Sequence, residues 1–412
     1  FMGTGKTTIG REVARRLGRS FVDMDAEIED RAGKPIPRLF GEDGEAVFRQ
    51  METDLCEELS QQQGLVIATG GGALVNPANR EKMMNCGTVI CLTCDVDEIV
   101  RRLNGGDSDR PLLRVPDPRA EIDRLLGMRY EAYAAIPWWV DTTECSVPDV
   151  VARVIEVSNV VTLPVRSPGG GPSQGGGYPI HIGNGLLAHV GGALRAASVA
   201  GGGRVAIVSN PVVWPLYGDR AATSLQSSGF EPLTCLVPDG ERHKTLDTVS
   251  DLYDQFVAVG LDRSGTVLAL GGGVTGDIAG FAAASYLRGV RFVQVPTTLL
   301  SMVDSSVGGK TGVDLPLGKN LVGAFKQPEL VIIDPTALAT LPPDEVRSGL
   351  AEVIKHGVID APDLFAELEQ GDGTLSLWWS DRGPTQIGRA LRVKIGVVEQ
   401  DPFEQGRRAV LN

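Results

Sequence analysis

The run GlyThrGlyLysThrThr at residues 3–8 matches the latter part of GxxxxGK[ST], a loop that cradles phosphate. In that chemistry Gly3, Thr4 and Gly5 let backbone N–H groups converge on phosphate oxygens, and Lys6 reaches the β/γ-phosphates. Thr7, followed by Thr8, brings a hydroxyl to Mg²⁺. AspMetAsp at 23–25 closes a short predicted strand, where alternation puts the Asp23 and Asp25 carboxylates on one side. Beside a nucleotide phosphate, one of them suits Mg²⁺ or its water shell and the other an acceptor hydroxyl. Gly70, Gly71 and Gly72 follow an apolar run, which lets a small ligand approach the carboxyl edge of a sheet.

A second set lies further on. LeuAlaLeuGlyGlyGlyValThrGlyAsp (268–277) carries GxGxxG as Gly271, Gly273 and Gly276, a fingerprint for a dinucleotide. The acidic ribose ligand expected about 20 residues later is missing, since that neighbourhood reads GlnValProThrThr. AspGlyGluArgHisLys (239–244) offers Glu241 and Lys244 instead. Between 288 and 326 five basic residues (Arg288, Arg291, Lys310, Lys319, Lys326) face two acidic ones (Asp304, Asp314), a local reversal that suits a phosphorylated or carboxylated substrate.

These residues need elements to hold them. The apolar stripe Ile9, Val13, Leu17 predicts a helix over 5–17, with Gly18 ending it. Strands are expected at 20–24, 65–69, 88–93 and 138–141, with helices around 43–63, 77–85, 95–103 and 120–135, an alternation that predicts an α/β fold with a parallel sheet. Residues 166–177 have the composition of a linker, yet strand-like runs flank them (160–165 and 178–182), so they are expected to join a β-pair opening a second domain. Strands at 204–209, 233–237, 265–270 and 291–296 and a helix over 245–259 extend the α/β pattern; after about 335 it becomes mainly helical. The expected division is 1–156, 157–335 and 336–412.

Composition sets the bounds. At roughly 150 residues per domain, 412 residues predict two to three domains. With 52 acidic and 39 basic residues the formal charge is −13, which argues against sequence-independent nucleic-acid binding. No apolar run is long enough to span a membrane. Six cysteines are too few for a disulfide scaffold, so a cytoplasmic location is expected, and the Cys91/Cys94 pair reads as core-strand thiols.

Over residues 1 to about 150 the motifs LysThrThrIleGlyArg, PheValAspMetAspAlaGluIle, PheArgGlnMetGlu, AlaThrGlyGlyGlyAla, ArgProLeuLeu and ArgTyrGluAlaTyr, in that order, resemble shikimate kinase. The resemblance implies a P-loop kinase that uses ATP and Mg²⁺. Thr7 and Asp23 would serve the metal; Asp25, Arg49, Arg129 and the Gly70–Gly72 backbone would hold shikimate, and Arg110 would lie on a lid over ATP. Two guanidiniums clamp a carboxylate well.

From about 160 to 412 the chain resembles 3-dehydroquinate synthase in AspGlyGluArgHisLysThrLeu, GlyGlyGlyValThrGlyAsp, TyrLeuArgGly, residues 296–313, ProLeuGlyLysAsnLeuValGlyAlaPhe and GlyLeuAlaGluValIleLysHisGly. This implies an NAD domain and then a helical domain with Zn²⁺, acting on 3-deoxy-D-arabino-heptulosonate 7-phosphate. The family's reaction runs through transient oxidation by NAD, loss of phosphate, re-reduction and aldol closure. By resemblance Glu352 is a zinc ligand. Arg288, Asp304, Lys310, Lys355, Lys394 and Arg408 form the catalytic set, with Asn320 and Asn412 on the substrate. Asp239, Gly240, Glu241, Lys244, Gly272, Gly273, Gly276, Asp277, Thr297, Thr298, Lys319 and Thr340 surround NAD.

Two departures stand out. Pro402 follows Asp401 where the family has a second acidic residue, and the chain stops at Asn412 before the family's histidine segment. None of His181, His189, His243 and His356 is read as spaced for a second ligand beside Glu352, so the remaining zinc ligands are expected beyond Asn412; the opening on Phe1 likewise reads as truncated. The expectation is a bifunctional enzyme with small-molecule substrates, no nucleic-acid or membrane partner, and a homodimer through the synthase part. Two rivals are weighed. A different small-metabolite kinase joined to a metal-dependent polyol dehydrogenase leaves the lysine-rich segments unexplained. A non-catalytic nucleotide-binding regulator has no need of Lys6, Asp25, Lys310, Glu352 and Lys355.

Overall fold

The computed structural model describes residues 1–104, 117–166, 176–197, 203–370, 378, 380 and 382–411. Arg110 and Asn412 lie outside the described residues, as does most of the glycine-rich 166–177 segment. The chain divides into two compact units, Phe1–Ser158 and Asn159–Asn412.

The first unit runs α1 (Lys6–Leu17), β1 (Ser20–Asp23), α2 (Met24–Ala32), α3 (Ile36–Glu42), α4 (Glu45–Ser60), β2 (Leu65–Ala68), α5 (Pro77–Cys86), β3 (Ile90–Thr93), α6 (Val96–Asn104), α7 (Pro118–Ala134), β4 (Trp138–Asp141) and α8 (Val147–Ser158). Every strand pairing is parallel: β1 lies on β2 with Ser20 opposite Leu65, and β3 on β4 with Ile90 opposite Trp138. Among the described residues the two pairs are not hydrogen-bonded to each other. A cavity of about 350 Å³ separates them, lined by Ile9 and Val13 of α1, Val66 and Ile67 of β2, and Ile90 and Cys91 of β3. Ile9 and Val13 are buried and Gly18 ends α1 in the left-handed conformation (φ 61°), as the periodicity requires. One expectation needs correcting. The strand stops at Asp23, which caps α2 by accepting the Asp25 N–H at 3.1 Å; helix geometry, not strand alternation, therefore relates the two carboxylates.

In the second unit β5 (Val161–Arg166) and β6 (Gly177–Ile182) form the expected antiparallel pair, Arg166 opposite Gly177. The chain continues through α9 (Val190–Ala196), β7 (Arg204–Ser209), α10 (Trp214–Ser227), β8 (Glu231–Leu236), α11 (Leu246–Ala258), β9 (Thr266–Gly271), α12 (Gly273–Ser285) and β10 (Arg291–Pro296). A π-turn (Ser301–Ser305) leads into a hairpin of β11 (Lys310–Leu315) and β12 (Gly318–Phe325), then β13 (Leu330–Ile333) and the helices α13 (Pro343–Asp360), α14 (Pro362–Gln370) and α15 (Gly383–Gln400). A seven-stranded sheet has the order β5-β6-β13-β10-β9-β7-β8, parallel except for β5 against β6. All six residues of β9 are buried, as a central parallel strand demands. One core packs β7–β9 against α11 and α12 around Phe256 and Phe292, either of which would cost about 3–5 kcal/mol on truncation to Ala. The other joins β5, β6 and β13 to the π-turn and α13–α15. The sequence reading missed the β11–β12 hairpin, because a glycine-rich basic stretch shows no apolar alternation.

Candidate active sites

In the first unit the phosphate-type loop turns through left-handed backbone at Gly3 (φ 73°) and Gly5 (φ 91°), conformations that favour glycine. No side chain caps the N-terminus of α1, so its first N–H groups face outward from the loop. Lys6 reaches back over the loop and donates to the Phe1 carbonyl at 2.5 Å, while the buried Thr4 hydroxyl donates to the same oxygen at 3.0 Å. Thr7 donates to Asp23 at 2.7 Å, so the two residues expected to serve Mg²⁺ stand together; Thr8 is exposed nearby.

The Gly70–Gly72 turn brings the other expected residues to one place. A Cβ on Gly70 would stand 2.5 Å from an Asp25 oxygen and one on Gly71 would stand 3.5 Å from Arg129; one on Gly72 would collide with Arg49. At Gly70 and Gly72 a side chain would force Asp25 and Arg49 to shift, whereas the Gly71 distance is an ordinary contact. Arg129 donates to the Gly71 carbonyl at 3.0 Å and Tyr133 donates to the same carbonyl at 2.8 Å. Arg49 donates to Glu52 at 2.7 Å; burial pushes the Glu52 carboxyl upward and the guanidinium pulls it back. Glu52 and Tyr133 went unrecognised in the sequence as site residues, although both sit in the quoted motifs. Arg49 and Glu52 are three apart on α4 and Arg129 and Tyr133 four apart on α7, which is the signal that was available.

In the second unit the strand order places β8 and β9 on opposite sides of β7, a topological switch point whose crevice lies at the strand carboxyl ends. Gly271, at the end of β9, accepts from the Thr297 N–H at 2.9 Å. A Cβ on Gly272 would meet Thr298 at 3.1 Å, one on Gly273 would meet Ser305 at 3.1 Å, and one on Gly276 would meet Gln294 at 2.8 Å. At the end of β7, Asn210 donates to Asp239 at 2.8 Å, and Gly240 follows with φ 99°. Asn210, buried at the crevice, carries no motif and was missed. Thr340 is paired with Tyr217.

A cleft of about 490 Å³ beside this crevice is lined by Asp277, Asp304, Lys310, Asn320, Lys394 and Arg408, all of them expected from the sequence. Lys244 joins Asp277 at 2.6 Å and donates to Asn320 at 2.6 Å; Lys319 joins Glu241 at 3.0 Å. Burial lifts the Asp277 carboxyl to about 6 against the pull of Lys244. Lys394 donates to Asp304 at 2.5 Å; burial would raise that carboxyl, but Lys394, with Lys355 and His356 nearby, outweighs it and holds it low. Arg408, fully buried, donates to the Gly308 carbonyl at 3.1 Å, and Lys310 pairs with Glu404. Lys355 pairs with Glu352 and donates to the Leu411 carbonyl at 2.5 Å. Arg288 is not brought here. It lies on an exposed turn at the far end of α12, whose 13 residues separate it from the glycine loop, a length of about 20 Å.

Ligand atoms of Asp304, Glu352 and His356 lie within 4.8 Å of one another. The sequence reading did not expect a histidine near Glu352, yet positions i and i+4 on α13 share a face, and the π-turn delivers Asp304 to it. Two carboxylates and a buried imidazole whose ring nitrogens have no hydrogen-bond partner fit a divalent cation.

Comparison with known proteins agrees region by region. Residues 2–159 match the shikimate kinase family, residues 234–348 the N-terminal part of 3-dehydroquinate synthase and residues 349–412 its C-terminal part. A 3-dehydroquinate synthase of Microcystis aeruginosa is 52% identical over 254 residues, 61% of this chain and 66% of that protein. The chain thus spans just under two thirds of the length of the curated relatives it matches. Among solved structures, a 2-epi-5-epi-valiolone synthase (ValA) from Streptomyces hygroscopicus with NAD⁺ and Zn²⁺ bound is 33% identical (TM-score 0.51), covering 57% of this chain and 64% of that one. A shikimate kinase from Acinetobacter baumannii in complex with shikimate is 38% identical (TM-score 0.36), covering 38% of this chain and 87% of that one.

Proposed function

For a chain whose residues 2–159 belong to the shikimate kinase family and whose residues 234–412 belong to the 3-dehydroquinate synthase family, we propose two activities in aromatic amino acid biosynthesis. The observation that carries this reading is that each unit gathers its expected residues into one place: Asp25, Arg49 and Arg129 on the Gly70–Gly72 turn, and Asp277, Asp304, Lys310, Asn320, Lys394 and Arg408 around one cleft.

In the kinase part (1–156), Arg49 and Arg129 clamp the shikimate carboxylate and Asp25 orients the acceptor hydroxyl and takes its proton. The hydroxyl oxygen bonds the γ-phosphorus of ATP as the bridging oxygen leaves with ADP. Lys6 swings from the Phe1 carbonyl to the β/γ-phosphates, and Thr7 and Asp23 would hold Mg²⁺, which would supply charge neutralisation at the phosphates.

In the synthase part, an NAD region (157–335) is followed by a metal and substrate region (336–412). The glycine loop at 271–273 and the Asn210–Asp239 pair receive the dinucleotide, with Glu241, Lys244, Asp277, Thr297, Thr298, Lys319 and Thr340 around it. Lys310, Lys394 and Arg408 exchange their present partners for the anionic groups of 3-deoxy-D-arabino-heptulosonate 7-phosphate, and Asn320 orients its hydroxyls. When bound, NAD supplies a recyclable hydride acceptor and a divalent ion at Glu352 polarises the alcohol being oxidised. The NAD⁺ and Zn²⁺ bound to the valiolone synthase support that cofactor pair. Six free cysteines fit a cytoplasmic enzyme, and a homodimer through the synthase part completes the reading.

Two assays test it. Purified protein should release ADP from Mg·ATP only when shikimate is added, and phosphate from the heptulosonate phosphate only with NAD and Zn²⁺. Release of neither product would overturn the reading, and ADP release with a polyol in place of shikimate would redirect the kinase half.

A further inference from the structure

We propose that Tyr178, on β6, is a positioning residue for the anionic cleft: acting through Gly308, it sets the guanidinium of Arg408 at the cleft wall. The inference rests on the synthase reading for the identity of the anion. Tyr178 is 3% exposed and packs in the core that joins β5, β6 and β13 to α13–α15. Packing calls for a ring at this place, and a phenylalanine would supply one. The hydroxyl adds a polar contact, its oxygen accepting the Gly308 N–H at 3.2 Å. Burial pushes the phenol up to about 12, so it stays a neutral hydroxyl.

Gly308 is where that contact matters. Its backbone is left-handed (φ 96°), as is that of Gly309 (φ 68°). Glycine leaves such backbone free to turn, so the direction of the Gly308 carbonyl is set by what holds the loop from outside. Two contacts do so: the Tyr178 hydroxyl on the Gly308 N–H, and the Lys326 N–H, which donates to the Gly309 carbonyl at 2.7 Å. The Gly308 carbonyl in turn accepts from both terminal nitrogens of Arg408, each at 3.1 Å, and a Cβ on Gly308 would collide with the same guanidinium. Arg408 is 2% exposed, and its Nη1 also donates to the Pro402 carbonyl at 2.9 Å. A guanidinium held on carbonyl oxygens keeps its charge for an incoming anion, and its planar fork has to be aimed to meet a phosphate or carboxylate with two bonds. Lys310 follows the two glycines directly and lines the same cleft, so the loop that Tyr178 pins presents both cations. Without the hydroxyl the buried Gly308 N–H loses this acceptor, and turning the loop to find another takes the carbonyl, and the fork resting on it, out of line.

The experiment measures binding of 3-deoxy-D-arabino-heptulosonate 7-phosphate by calorimetry on the purified 412-residue protein, without NAD so that no turnover occurs. Tyr178→Phe keeps the ring and should weaken this binding about tenfold, with NAD affinity and far-UV circular dichroism at wild-type values. In turnover the KM for the heptulosonate phosphate should rise while kcat changes little. A double-mutant cycle separates aiming from folding. Arg408→Lys removes the fork, so adding Tyr178→Phe to that variant should cost no further affinity. Wild-type affinity in Tyr178→Phe overturns the inference. So does an effect that persists in full on the Arg408→Lys background, or a Tyr178→Phe chain that loses NAD binding or its fold along with the anion, because either makes the hydroxyl a prop of the core. Wild-type protein that binds no heptulosonate phosphate overturns the synthase reading and the inference with it, whereas binding and the expected cycle without turnover count against the synthase reading alone.

Discussion

The two sites hold their lysines in different ways. In the kinase part, Lys6 donates to the Phe1 carbonyl and Arg129 to the Gly71 carbonyl, while Arg49 stands against the buried Glu52 carboxylate. In the synthase part every expected lysine stands against a carboxylate: Lys244 on Asp277, Lys319 on Glu241, Lys310 on Glu404, Lys355 on Glu352 and Lys394 on Asp304. A carbonyl dipole gives up a cation to an incoming phosphate at little cost. A buried carboxylate gives up its cation at a higher cost, because removing the partner outright leaves a charge in a low dielectric. The first site should therefore tolerate loss of Lys6 or Arg129 and suffer only in function, whereas losing a cation that faces a buried carboxylate, as Lys394 does in the second, should also cost stability.

The largest expected effect tests the second half of that contrast. Lys394→Ala strands the Asp304 carboxylate, and with the lysine side chain 8% exposed and its partner 27% exposed, denaturant unfolding should show a loss of about 3–5 kcal/mol. Lys394→Ala combined with Asp304→Ala should recover much of it. A single variant as stable as wild type would break the comparison. Next comes Lys6→Met, for which shikimate phosphorylation should fall on the order of 10²–10³-fold. Its melting temperature and NAD binding should stay at wild-type values, because the Phe1 carbonyl keeps the Thr4 hydroxyl.

A pH series sharpens the same point. Burial sets Asp277 near 6, above its unfolded value of 3.8, so the native state holds the proton more tightly. The stabilisation from neutral Asp277 is full below about pH 4 and is lost as pH rises through 6, a change of up to roughly 3 kcal/mol. Asp277→Asn should flatten that segment of the stability–pH curve measured by urea titration, whereas Lys6→Met should leave it intact.

Particular residues explain how much of this was legible. Backbone-driven features could be read directly: Gly5 and Gly18 mark the two ends of α1 because left-handed backbone favours glycine, and the β5–β6 pair shows through its flanking apolar runs. Asp304 and His356 share a site though 52 positions separate them, a tertiary juxtaposition that no local period encodes. Within α13 the i, i+4 spacing of Glu352 and His356 was legible, since residues four apart share a helix face. Asp25 was misplaced by one element: the strand ends at Asp23, whose carboxylate caps α2, and Asp25 stands in the first turn of that helix. Arg288 carries a matching motif, yet the length of α12 sets it apart from the cleft in this chain.

The smallest predicted effect is the most specific. Arg129 and Tyr133 both donate to the Gly71 carbonyl, so Arg129→Ala leaves that oxygen satisfied and the glycine turn in place. Besides a contact over the Phe1 ring, the substitution then removes a guanidinium beside the glycine turn. Losing one charge-assisted contact to a carboxylate should raise the KM for shikimate about tenfold or more, with the KM for ATP and the melting temperature near wild type. Tyr133→Phe should do neither, because Arg129 still holds the turn. Only the double variant Arg129→Ala/Tyr133→Phe leaves Gly71 without its donors, and it alone should raise both KM values and lower the melting temperature. If Arg129→Ala by itself raises both KM values equally, the arginine is organising the loop, and the kinase site then depends on its cations for structure as the synthase site does.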